Sequence, residues 1–387
     1  MRLGRPDHVE ALPNIADAGV TRPRLIDDPR DLLRHFLGQG YRILAPQERD
    51  GVIDPAPLTE PDALPRGRVD DQGPGHYRLR DGPPDRWFDY VVGPSSWKAW
   101  LYPARRKLWS AERTDDRLTF RDATTTWPKT VLFGVRPCEL AAIERQRRIF
   151  AEGPYVDTAF AERLAGSIIV VVQCARSAPT CFCASMDTGP RAESGYDLAL
   201  TELPADHGAA FLVESGSQAG DDALHAIGGA TATPRDHATA LDLSRAAAAR
   251  QTRTMPDDIA DGLKLRLESP VWADIASRCL TCGNCTLACP TCFCSDVEEV
   301  SDLSGEHTER WQLWDSCFNP DFGFIHGGPV RSSPAARYRQ WMTHKLSYWH
   351  DQFGSSGCVG CGRCITWCPV GIDLVAEADR LMAEGTG

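Results

Sequence analysis

The chain has 387 residues, 42% apolar and 25% charged, which is ordinary for a soluble globular protein and long enough for two or three domains. A net charge of -11 with no basic stripe to offset it argues against nucleic-acid binding. The stretch Met1–Gly19 carries Asp7, Glu10 and Asp17 and no apolar core, and the longest apolar run, Ser167–Val172, is far too short to span a bilayer, so the 15 cysteines are expected to be metal ligands or free thiols in a reducing cytoplasm.

Residues 1–120 read as a Pro-rich α+β region. Asp31 to Gly38 has the leucine and Phe36 spacing of a short helix, and Tyr41–Ala45 and His76–Arg80 alternate as strands. Recurrent proline from Pro46 to Pro94 excludes long helices between them. Trp87, Trp97, Trp100 and Trp109 fit core packing or loop anchoring better than an exposed docking face. Residues 121–255 change character. Val131–Val135 is an apolar strand leading into Arg136-Pro137-Cys138-Glu139 and a helical pattern with Leu140, Ile143 and Ile149. Ser167–Val172 is a second apolar strand, followed by Gln173-Cys174. Strand, helix, strand in this order predicts a βαβ unit in a parallel sheet, with Cys138 and Cys174 beyond the carboxyl ends of its strands. Two further strands are expected at Tyr196–Leu203 and Ala210–Glu214, then a helical or loose connector over 216–256. Ser269-Pro270 opens a helix leading to Cys279, and Ile372–Met382 reads as a terminal amphipathic helix.

The last third, 256–387, carries one pattern twice. Cys279-x2-Cys282-x2-Cys285-x3-Cys289-Pro290 is matched position for position by Cys358-x2-Cys361-x2-Cys364-x3-Cys368-Pro369. Three thiolates at this pitch wrap three corners of an iron–sulfur cubane, and in paired runs the fourth cysteine ligates the other run's cluster. The expected sets are Cys279, Cys282, Cys285 and Cys368 for cluster I, and Cys358, Cys361, Cys364 and Cys289 for cluster II. Gly283, Gly360 and Gly362 suit backbone passing close to inorganic sulfide. Structural zinc needs only four ligands in two separated pairs, half of what is present here. The 68 residues from Pro290 to Gly357 are dense in aromatics, among them Trp311, Trp314, Phe318, Phe322, Phe324, Trp341, Tyr348 and Trp349, and are expected to pack around the clusters and exclude water. The predicted fold class is α+β: an N-terminal mixed α/β region with a partly parallel sheet, followed by a mainly helical two-cluster ferredoxin-like domain.

Seven cysteines remain. The pentapeptide Pro-Thr-Cys-Phe-Cys occurs at 179–183 and again at 290–294, and Cys-x-Cys suits soft metal ligation better than a local disulfide. Cys138, Cys174, Cys181 and Cys183 are candidates for a third iron–sulfur site at the sheet edge, the alternative being packed, inert thiols. Cys292, Cys294 and Cys317 are candidates for groups beside cluster II that do not ligate it. A nucleophilic role for Cys138, Cys174 or the Cys-Phe-Cys pairs in reducing polysulfide or disulfide is a further alternative, with Arg136 and Arg176 close in sequence to lower a thiol pKa. No G-x-G-x-x-G after a strand, phosphate-binding loop or H-E-x-x-H is present, and no residue set for independent substrate chemistry is visible, so no catalytic residue is assigned.

Several stretches together resemble a known family: Phe133–Leu140, Cys181–Pro190, Asp197–Leu203, Val213–Ser217, Cys289–Cys294, Trp314–Cys317 and both cysteine runs. They are similar to the iron–sulfur β subunit of soluble cytoplasmic nickel–iron hydrogenases (sulfhydrogenases), and to the A subunit of anaerobic sulfite reductase. Glu139 departs from the family pattern, which has Asp there. The resemblance implies two 4Fe–4S clusters in an electron relay. It also implies a flavin- and NAD(P)-binding subunit and a nickel–iron subunit, or a sirohaem subunit, as partners.

Overall fold

The computed structural model describes residues 22–384 apart from 116, 124, 125 and 209. The reading of Met1–Gly19 therefore lies outside the described residues.

The chain opens with β1 (Arg24–Ile26), α1 (Arg30–Gly38), β2 (Arg42–Arg49) and β3 (Val52–Leu58), then the hairpin β4 (Arg68–Gly73) and β5 (His76–Asp81). A single turn α2 (Lys98–Leu101) precedes a second hairpin, β6 (Arg105–Thr114) and β7 (Arg117–Asp122). Next come β8 (Thr130–Val135), α3 (Pro137–Phe150), α4 (Thr158–Ala165) and β9 (Ser167–Val172). They are followed by β10 (Leu198–Glu202), β11 (Phe211–Ser215), α5 (Gln218–Ile227), β12 (Ala230–Thr231) and α6 (Pro234–Ala249).

Eight of these strands form one sheet in the order β12-β1-β11-β10-β9-β8-β2-β3. The central pairs β10–β9, β9–β8 and β8–β2 are parallel, and the flanking pairs antiparallel. β8 and β9 are apolar on both faces because both faces are covered. Phe133, Val170, Val172, Leu200 and Phe211 pack with Leu32, Leu33 and Phe36 of α1 and Leu224 of α5. On the opposite face, Leu132, Val171 and Ala199 pack with Leu140 and Ile143 of α3, Phe160 of α4 and Trp97. The indoles of Trp87 and Trp97 are core, as the composition of that stretch predicts, whereas Trp100 and Trp109 are only partly buried. The sheet draws strands from both sides of the boundary expected at residue 120.

The 216–256 connector is ordered by its caps. Ser217 accepts from Gly220 N at the start of α5, and Thr233 and Asp236 cap α6 reciprocally. Thr233 N–H, then His207, hold the Asp236 carboxyl down from its ordinary 3.8 to about 2. Because the folded value is depressed, this cap contributes its full stability above pH 3.8 and loses it as pH falls through about 2. Amide exchange in the first turn of α6 should therefore accelerate across that window, and Asp236→Asn should remove the pH dependence.

The C-terminal third holds α7 (Ile259–Lys264), α8 (Val271–Arg278) and α9 (Asn284–Leu287), the strands β13 (Ser295–Ser301) and β14 (His307–Trp314), then α10 (Pro334–Thr343). A π-helical turn over His344–Tyr348 leads into α11 (Trp349–Phe353), α12 (Arg363–Thr366) and α13 (Leu374–Ala383). The mainly helical expectation holds only in part here. β13 and β14 form a hairpin that joins β6 and β7 in a second sheet, ordered β13-β14-β6-β7. β13 reads Ser-Asp-Val-Glu-Glu-Val-Ser and is mostly exposed, so it lacks the alternation that marks a half-buried strand. The hairpin also corrects the expectation that the aromatic insert surrounds the clusters throughout. Trp311 lies on the β14 surface under Arg105, 4.2 Å from its ring centre. Phe324 is exposed. Among the described residues no helix is long and apolar enough to cross a membrane.

Candidate metal centres

The two cysteine runs fold alike. In each, a loop with two cysteines reaches a glycine in the left-handed region, Gly283 at φ 76° or Gly362 at φ 77°. A one-turn helix, α9 or α12, then carries the third cysteine, and the fourth follows it. The runs lie side by side, with Asn284 Nδ2 donating to Trp367 O at 3.3 Å.

Cys279, Cys282, Cys285 and Cys368, together with Cys364 of the second run, line one cavity, about 440 Å³ of space opening to solvent, whose walls include Phe318, Tyr338 and Trp341. Burial pushes the Cys285 thiol up, and charge on Cys279, Cys368 and Cys282 adds to it. Cys282 is exposed; Thr281 N–H donates to Cys279 Sγ at 3.4 Å and Ile372 N–H to Cys368 Sγ at 3.3 Å.

The other group is deeper. Burial pushes Cys358, Cys361 and Cys364 up, and in each case charge on Cys289 adds to the shift. Cys289 thus lies within reach of the second run's three cysteines, and Cys368 shares the cavity of the first run's three. Among the described residues no three His, Cys, Asp or Glu side chains converge as a single ion would need. The thiols of the first group stand instead around an open space.

The surroundings fit an anionic cofactor. Lys345, 5% exposed and borne on the π-helical turn, donates to Cys289 Sγ at 3.3 Å and Thr291 Oγ1 at 2.9 Å, and finds no carboxylate among the described residues. Burial works against its charge, but Cys289, Cys292 and Cys358 hold its pKa well above the usual lysine value. Lys98 is also buried, donating to Cys292 O at 3.1 Å with its Nζ 3.9 Å from the Trp314 ring centre. Arg363, 1% exposed, pairs with Glu139 at 2.7 Å, while its Nη1 has no hydrogen-bond partner. A buried cation without a counter-charge costs several kcal/mol, so Lys345 and Lys98 call for negative charge where the thiols are. The cavity, the eight sulfur donors and these cations together suit a pair of cubanes, each an anion once four thiolates bind it.

Cys292 lies beside Cys289, and Cys317 lies near Cys294 and Cys285. Cys292 hydrogen-bonds the Cys289 thiol, and Cys294 is pulled down to about 7, chiefly by a hydrogen bond from Cys317. Cys138, Cys174, Cys181 and Cys183 are also brought together, all buried, against the second run. Gly360 (φ 61°) packs so tightly on the 179–183 segment that a Cβ there would lie 2.6 Å from Cys183 Cα. Glu139 bridges from α3 to Arg363 and also accepts from Trp97 Nε1 at 3.1 Å. Residues 1–120 reach the site through the first hairpin, where Thr366 donates to Gln72 Oε1 at 3.1 Å and Tyr77 stacks on Trp367 at 5.1 Å. Sequence reasoning missed Lys345, Lys98 and Arg363, because a buried cation looks like a surface one until its neighbours are known.

A family model described as a 4Fe-4S dicluster domain matches residues 278–372, the segment that carries both cysteine runs. Together with the thiol groups and their buried cations, this makes the protein an iron–sulfur electron-transfer subunit. Over 261 residues the chain is 33% identical to Sulfhydrogenase 2 subunit beta of Pyrococcus furiosus, an overlap covering 65% of this chain and 74% of that protein. The chain belongs to the sulfhydrogenase β-subunit family. No solved structure matches it.

Proposed function

We propose that the chain is the β subunit of a cytoplasmic, NAD(P)-linked nickel–iron hydrogenase complex. It holds two 4Fe–4S clusters, one on Cys279, Cys282, Cys285 and Cys368, the other on Cys358, Cys361, Cys364 and Cys289. What supports this reading is that Cys289 lies near Cys358, Cys361 and Cys364, and that Cys368 shares one cavity with Cys279, Cys282 and Cys285. When bound, each cluster takes up and gives back a single electron. The residues around them set the conditions. Backbone N–H groups at Thr281, Gly360 and Ile372 donate to cysteine sulfur, and Phe318, Tyr338 and Trp341 form apolar walls of the first group's cavity. Lys345 and Arg363 offset negative charge at the second. Exposed Cys282, with exposed Leu280 and Val370 lining the same cavity, marks the first cluster as the point where a partner delivers or receives electrons.

A flavin- and NAD(P)-binding subunit and a nickel–iron subunit are the proposed partners, with sulfur or polysulfide as a further acceptor. The rival reading, a thiol nucleophile acting alone, needs an accessible thiol of lowered pKa. Cys138, Cys174 and Cys181 are instead buried, and that burial pushes each of them up, which leaves only partly buried Cys294, pulled down to about 7, to meet it among these candidates. Anaerobic purification of the tagged chain should yield a brown protein with at least about eight irons, together with a nickel–iron subunit and a flavoprotein. Recovery with a sirohaem protein would overturn the hydrogenase assignment, and a colourless, zinc-loaded chain would overturn the relay itself.

A further inference from the structure

We propose that Cys138, Cys174, Cys181 and Cys183 hold a third 4Fe–4S cluster, next to the one on Cys358, Cys361, Cys364 and Cys289. The proposal rests on the two-cluster reading and extends it. The four thiols come from three separate places. Cys138 lies in the first turn of α3, directly beyond β8, and Cys174 lies just beyond β9, the parallel neighbour of β8. Cys181 and Cys183 arrive on the loop that returns across this sheet edge, held by Phe182 N–H to Gly360 O at 2.9 Å. All four are buried and none is in a disulfide.

Two features separate this group from inert core thiols. The first is charge. Arg136, 4% exposed, donates to the carbonyls of Phe88 and Tyr90 and places Nη1 3.9 Å from Cys174 Sγ, with no carboxylate paired to it among the described residues. The unpartnered Nη1 of Arg363 belongs to a guanidinium whose charge is felt by Cys138 as well as Cys361. With neutral thiols Arg136 has no directly paired anion, only the more distant carboxylates of Asp70 and Glu202, whereas a tetrathiolate cluster supplies a negative charge at Cys174. The second is the lining. Gln251 Nε2 donates to Cys183 Sγ at 3.2 Å, the kind of N–H···S contact that stabilises cluster sulfur. Gly189 borders the group so closely that a Cβ would stand 3.1 Å from Cys183 Sγ and 3.3 Å from Pro137 Cβ. Cys138, Cys183 and Cys361 belong to one buried apolar cluster, which puts the third site next to the second.

The test is iron and acid-labile sulfide per chain in the anaerobically purified complex, with electron paramagnetic resonance of the dithionite-reduced sample. About twelve irons are expected, falling by about four in a Cys138→Ser/Cys181→Ser variant that keeps the signals of the other two clusters. A Cys292→Ser/Cys294→Ser variant should keep about twelve. It assigns the extra iron by elimination if the first variant does not fold. About eight irons in the unaltered chain, four buried thiols holding one zinc, or a loss of iron confined to the Cys292→Ser/Cys294→Ser variant would each overturn the third site. Only a count below about eight would also bring down the two-cluster reading.

Discussion

Replacing Cys289 with alanine should strip about four irons from each chain and leave the cluster on Cys279, Cys282, Cys285 and Cys368 in place. By position in the chain Cys289 belongs to the first run, and a run that served its own cluster would lose that one instead. The surroundings of Cys289 favour the crossed assignment. The Cys289 thiol sits among Cys358, Cys361 and Cys364, under the ammonium of Lys345 and beside the Thr291 hydroxyl. Cys368→Ala is the mirror experiment: it should empty the first cavity, whose lining includes Cys368, and spare the deeper cluster. Iron assay with paramagnetic resonance of reduced samples reads both outcomes. If each alanine removed the cluster of its own run, the crossed grouping would be wrong.

Lys345→Met should make the second cluster harder to reduce. Adding an electron there increases negative charge, and the Lys345 ammonium, 3.3 Å from Cys289 Sγ, stabilises that charge in a site stripped of water. A unit charge roughly 5 Å away at an effective dielectric near 20 is worth about 3 kcal/mol. At about 59 mV per tenfold change in a one-electron equilibrium, the expected shift is on the order of 100 mV towards more negative potential. Methionine keeps much of the volume, so the change isolates the charge, and Lys345→Arg should restore most of the potential. A redox titration followed by paramagnetic resonance measures it. A positive shift, or none, would mean that this cation does not act on the cluster. The first cluster, in its own cavity and lined by Cys282, Cys285 and Cys368, should hardly move.

The parts of the molecule legible in the sequence were those governed by local spacing. The twin cysteine runs, the helix over Asp31–Gly38 and the paired apolar strands at Val131 and Ser167 all follow from patterns a few residues long. The meeting of Cys138 with Cys174 was legible too, because two adjacent parallel strands must end at one edge. What escaped was set by partners distant in sequence. β13 has no alternation of its own and exists because β14 pairs with it on one side and with β6 on the other. Lys345 resembles any helix-surface lysine until α10 widens into its π-helical turn and the insert folds over it. Glu139, where the family pattern has Asp, has a defined task only once Arg363 is seen across from it.

The strand pairing between β14 and β6 has a consequence for anyone wishing to study the redox part alone. Arg106 and Gln312 touch although 206 positions separate them along the polypeptide. A fragment trimmed to begin near residue 256 would bare the open edge of β14, uncover the glycine-lined back of the second run and remove Trp97 and Glu139 from around Arg363. Such a miniature would report the potentials of a wetter, looser object, so the intact polypeptide is the smallest faithful specimen.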